Sequence, residues 1–172
     1  MKLWKTLLLI AIFACGLSAG IGIKYLYETK TFQPYAWKGL PPIILNCYGE
    51  DFSELQMLRA IDYWTVRGHH IGFYEHNPPE EVCEEDHLDG FIILRKGDRF
   101  GHDSGVLAHT TRRTSLTDMR SAVITYRPGS QNLMWINEHE LGHALGFAHY
   151  EAVGHIMHPM FHKMGGDFYI PN

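Results

Sequence analysis

Three histidines and a glutamate in one stretch, His139-Glu140-Leu141-Gly142-His143-Ala144-Leu145-Gly146-Phe147-Ala148-His149, carry most of the chemistry this chain offers. On a helix, His139 and His143 stand about one turn apart and share a face, so both imidazoles reach one metal ion. Glu140 is the next residue along, points toward the rim of the site and is the candidate general base. Gly146 is where the helix should end, because glycine accepts the left-handed conformation that turns the chain and brings His149 in from another direction. Three neutral nitrogen ligands leave a fourth position open on zinc, the mark of a catalytic rather than a structural ion. The chain holds 12 histidines in 172 residues, so one pair at a spacing of four would mean little; the full set of His139, Glu140, His143, Gly146 and His149 is far more specific.

Downstream lies His155-Ile156-Met157-His158-Pro159-Met160-Phe161. Taken together, the two stretches resemble the metzincin peptidases, in which His-Glu-x-x-His-x-x-Gly-x-x-His is followed by a methionine turn. The order Met, one residue, Pro, one residue, aromatic is similar to that turn in the matrixin branch. The resemblance implies a zinc-dependent endopeptidase with one catalytic Zn2+ on His139, His143 and His149, and with Met157 as a hydrophobic floor beneath the ion. It places Pro159, Met160 and Phe161 at the border of the pocket for the residue just after the cut. The segment 104–110 resembles the matrixin edge strand, so Val106, Leu107 and Ala108 are candidate substrate-binding residues, pairing with an extended peptide laid antiparallel along them. Zinc would lower the pKa of its water to about 7, and Glu140 would take the proton as that water attacks the peptide carbonyl.

The same resemblance extends more weakly to other residues. A helix ending at Trp64 ahead of a strand at 71–73 is similar to the matrixin opening. Matrixins carry a second, structural zinc around the edge strand; His102, Asp103 and His109 fall in that region, but residues 121–126 offer no histidine to complete the set. His158, beside the expected floor, is a candidate oxyanion donor. His69, His70, His76, His87, His155 and His162 read as surface or pH-sensitive residues. No cysteine occurs in residues 25–40, so the cysteine-bearing segment that keeps matrixins latent has no counterpart there. Metzincins usually finish with a further helix, whereas only 15 residues follow Met157 and Gly165, Gly166 and Pro171 interrupt them.

These residues need a scaffold. Apolar runs at 43–45, 71–74, 91–94 and 122–126, with a candidate edge strand at 106–110, predict a mixed five-stranded sheet. Helix-like spacing at 51–66 predicts a helix crossing the sheet, and the Pro128-Gly129-Ser130 turn leads into an active-site helix from about 131 to 145. The fold class is therefore an α+β, zincin-like sandwich, α/β by content, with the active-site helix under the sheet and a cleft between that helix and the edge strand. Glu80, Glu81, Glu84, Glu85 and Asp86 fill a loop, solvated or alternatively holding Ca2+. Arg112 with Arg113, and residues 96–99, read as solvated loop clusters.

Lys2 and Lys5 precede an apolar run reaching Ile23, the pattern of an export signal or a membrane anchor. Residues 1–24 are assigned to that signal anchor or signal peptide, 25–40 to a tether and 41–172 to one catalytic domain. A membrane-anchored protein with its domain on the extracytoplasmic side is expected. Leu17-Ser18-Ala19 offers a cleavage site for a secreted form, and Cys15 a lipidation site. Cys47 and Cys83 are the remaining thiols and are candidates for one disulfide in an oxidising compartment. A net charge of -4 and a pI near 6.3 exclude the basic footprint of a nucleic-acid binder. Peptide or protein is the expected substrate. The other readings are a non-catalytic zinc-containing peptide-binding module and a peptidase of cell-wall peptides; the oligomeric state is not written in these residues.

Overall fold

The computed structural model describes residues 32–97 and 105–171. The apolar N-terminal run, Cys15, His102 and Asp103 lie outside the described residues, and with them the anchor, signal and lipidation readings and most of the second-zinc set. Among the described residues no helix is long and apolar enough to cross a membrane.

Five strands form one sheet in the order β2-β1-β3-β5-β4. They are β1 (Ile43–Cys47), β2 (Phe73–Glu75), β3 (Phe91–Lys96), β4 (Ala108–Ser115) and β5 (Asp118–Tyr126). The first four in that order pair in parallel, and β4 closes the edge antiparallel to β5. The interior strands read as nearly unbroken apolar runs because both faces are covered. Ile44, Ile92, Leu94, Ala122 and Ile124 face the main core, while Leu45, Ile93 and Val123 face a smaller cluster under Val82, Leu88 and Phe91.

Helix α1 (Glu54–Thr65) starts at Ser53, whose hydroxyl accepts the Gln56 N–H, and buries Met57, Ala60 and Trp64 along one stripe. Helix α2 (Glu80–Cys83) is a single turn inside the expected acidic loop. Cys83 on that turn is joined to Cys47 of β1 by a disulfide, 36 residues apart in sequence, a loop closure of the size that stabilises by about 2–4 kcal/mol. The Arg95 guanidinium caps the same segment, donating to the carbonyls of Cys83 and Glu85 and pairing with Asp86. The acids there do not converge on one point: among the described residues, the one group of three or more His, Cys, Asp or Glu side chains that does is His139, His143 and His149.

Three expectations need correction. The edge strand is longer than 106–110 and begins at Ala108, since its sequence Ala-His-Thr-Thr-Arg-Arg-Thr-Ser is polar and only pairing with β5 reveals it. Arg112 and Arg113 are thus strand residues, not loop residues. The active-site helix α3 spans Ile136–Ala144 rather than starting near 131. Ser130–Asn132 form a separate 3-10 turn, and left-handed Trp135 (φ 70°) breaks the chain between them.

Residues 32–37, expected as part of a tether, pack against the domain, while 38–40 are exposed. Phe32 is 5% exposed and packs on Phe147 and Phe168. The side-chain N–H groups of Gln33 and Trp37 donate to the carbonyls of Leu145 and Ala144, and Ala148 N–H donates to the Phe32 carbonyl. The first two bonds satisfy orphan carbonyls at the C-terminal end of α3. After Met157 the described chain makes only a 3-10 turn (Phe161–Lys163) and then an extended segment, whose Phe168 inserts against Trp64 and Phe147.

Candidate metal centre and cleft

Helix α3 is fastened from both sides. Trp64 donates its indole N–H to the Glu138 carbonyl (2.7 Å), and Arg59 pairs with the buried Glu138 carboxylate (3.2 Å). From below, the Met157 sulfur lies so close to Gly142 that an added Cβ would stand 2.3 Å from it. Glycine is required there because the methionine floor occupies the space of any side chain. Gly146 has φ 101° and a Cβ would fall 2.0 Å from the Tyr35 carbonyl oxygen, so only glycine allows the chain to turn here and pass under residues 32–37.

That turn delivers the third histidine. His143 Nε2 lies 3.1 Å from His139 Nε2 and 3.1 Å from His149 Nε2. Three nitrogens on one tetrahedral zinc, bonded at 2.0–2.1 Å, stand about 3.3 Å apart, so the spacing fits a shared ion. The other ring nitrogens fix the tautomers. His139 Nδ1–H donates to the Ile156 carbonyl (2.7 Å) and His143 Nδ1–H to the Phe147 carbonyl (2.9 Å), which leaves both Nε2 lone pairs aimed at the common point. Burial holds His139 down at about 4 and His143 at about 3, and it also lowers His149. The Arg112 guanidinium adds to the lowering at His143 and His149.

Glu140 is 4% exposed, and burial pushes its carboxyl up to about 7, opposed by a hydrogen bond from Thr110. Thr110, on the edge strand, donates its hydroxyl to Glu140 Oε2 at 2.6 Å. The sequence reading missed this contact; a hydroxyl two residues beyond Ala108 on the same strand face was its only signal.

The triad opens into a cleft of about 760 Å3 between α3 and β4. Val106, Leu107, Ala108, Pro159 and Phe161 line it, together with Met164 and Arg112. Met160 is 50% exposed and lies outside the lining. Met157 is fully buried beneath α3, the floor position.

His155 and His158 are not surface residues. His155 is fully buried, accepts the Met157 N–H at Nδ1 (3.0 Å) and donates from Nε2 to the Tyr169 carbonyl (3.1 Å). It thereby staples the methionine turn to the C-terminal segment. His158 is 3% exposed and accepts the Met160 N–H. His109 lies on the cleft wall. His69 packs its ring on Trp64 and Phe147.

Sheet, buried helix, converging histidines and methionine floor define a metallopeptidase domain of the metzincin class. The family described as Matrixin, peptidase M10, matches residues 56–171, more than half of the chain, and the chain belongs to that family of zinc metallopeptidases. No curated protein matches it.

The depressed imidazole pKa values predict acid-tolerant zinc binding. Three ordinary imidazoles near 6.5 would be protonated in competition with the metal, costing about six hundredfold in affinity between pH 7 and 5.5. Here His139 and His143 stay neutral until well below that range, so affinity should fall by less than about tenfold. Competition titration with a chelator at the two pH values checks this.

Proposed function

We propose that this chain is a zinc-dependent endopeptidase in which His139, His143 and His149 hold the ion and Glu140 is the general base. The observation that carries the reading is the convergence of three Nε2 atoms beside one buried carboxylate at the floor of an open cleft. Zinc bound there supplies Lewis acidity, which makes water ionisable near neutral pH and polarises a carbonyl. Glu140, with its carboxyl near 7, accepts a proton from the attacking water and returns it to the leaving nitrogen. Thr110 fixes the rotamer of that carboxylate. The substrate is a peptide or protein lying extended along β4, an edge strand of the sheet, antiparallel to it, where backbone pairing orients the scissile bond without demanding one sequence.

The domain works outside the cytoplasm, held by the apolar N-terminal run. The Cys47–Cys83 disulfide supports an oxidising compartment. Intact Glu140 argues against a purely binding role for the fold.

Replacing Glu140 by Ala in the full-length protein should leave one zinc bound and lower kcat by at least about a hundredfold on a peptide library. Loss of zinc, or undiminished turnover, contradicts the role of Glu140; zinc-loaded wild type that binds peptides but cuts none selects the binding module, and cleavage of muropeptides alone selects a cell-wall target. Thr110→Val removes the hydrogen bond that holds the Glu140 carboxyl down, so its pKa rises further. The base must be deprotonated to act, and the acid limb of the kcat/KM profile should therefore move to higher pH, while an unmoved limb excludes the contact.

A further inference from the structure

We infer that Arg112 makes the cleft selective for peptides with a carboxylate at the second or third residue on the N-terminal side of the cut. This rests on the peptidase reading above and adds a substrate class to it.

Arg112 follows Thr110 by two residues on β4, so both side chains stand on the same face of the strand, the face turned to α3. Thr110 reaches Glu140 from that face, and Arg112 reaches the Phe147 carbonyl at 3.5 Å, beside the turn that delivers His149. A peptide antiparallel to β4 runs toward its own N-terminus as β4 runs from Thr110 to Arg112. Two residues of strand cover about 6.8 Å, so a peptide whose reacting carbonyl sits at Glu140 brings its second or third preceding residue to Arg112.

The charges single this position out. Arg95, Arg113 and Arg120 on the sheet each face an aspartate, whereas Arg112 has no carboxylate within 4 Å among the described residues. Its guanidinium lies over the Tyr35 ring at 5.5 Å, which steadies it without neutralising it. Among the described residues lining the cleft, Arg112 is the one Lys or Arg, and Glu140, 4% exposed, is the one carboxylate. A fixed, unpaired cation at the wall of a cleft attracts an anionic side chain and repels a cationic one.

The test uses the full-length, zinc-loaded protein and one peptide sequence carrying Glu, Gln or Lys at the second or third residue before the cut, and in a second set at the same distance after it. The readout is the Glu-to-Gln ratio of kcat/KM within each variant, which is independent of the active fraction. Wild type should favour Glu before the cut by about fivefold, the factor for an exposed pair worth about 1 kcal/mol, with the preference shrinking as salt rises. Arg112→Lys should keep a preference, Arg112→Gln should bring the ratio near one, and Arg112→Glu should favour Lys. Binding of the same peptides to the zinc-loaded Glu140→Ala protein should follow the same order. A wild-type ratio near one, a preference only after the cut, or a ratio indifferent to Arg112→Glu overturns the inference. Cleavage of the Gln peptide in that case leaves the peptidase reading intact; charge-dependent binding without cleavage of any peptide supports Arg112 and overturns the peptidase reading alone.

Discussion

Three imidazole lone pairs gathered at one point, with His143 Nε2 only 3.1 Å from each of the other two, repel, and nothing in the ordinary physics of a core gathers them there. A cation at their meeting point reverses the sign of that interaction. The rest of the domain can be read as the means of holding this arrangement. His139 and His143 come from one face of α3 at no conformational cost beyond the helix itself. His149 comes only because the chain turns back at Gly146, beneath residues 32–37. Carbonyls of Ile156 and Phe147 then choose the tautomers.

The packing around the helix shows how little freedom is left. Trp64 stacks on Phe147, hydrogen-bonds to α3 and would touch any side chain at Gly142, so one indole secures the helix and the loop after it. Met157 fills the remaining space below. His155, whose pKa burial lowers, ties that methionine to the C-terminal segment. That segment inserts one aromatic, Phe168, against the same cluster. Phe161 and Met164, which precede it, stand on the cleft wall.

How much of this could be read from residues alone depended on the range of the interaction. The triad was legible because its members lie within eleven positions and a helix converts that spacing into geometry. The interior strands β3 and β5 were legible because burial on both faces demands unbroken apolar runs. Strand β4 was only half visible: its polar sequence carries no alternation strong enough to mark its end, and its length is set by pairing with β5. That error hid Arg112, which looked like a loop cation. Residues 32–40 looked like a tether because their partners, Ala144 and Leu145, are more than a hundred residues away. The left-handed break at Trp135 and the inward turn of His155 had no local signal at all.

X-ray absorption at the zinc edge, on the full-length protein loaded with one equivalent of metal, tests the central claim most directly. The account predicts one tightly held zinc per chain, a first shell of nitrogen and oxygen alone at about 2.0–2.1 Å, and the multiple-scattering signature of three imidazoles. A protein that stays metal-free, a shell containing sulfur at about 2.3 Å, or one with fewer than three imidazoles would contradict it.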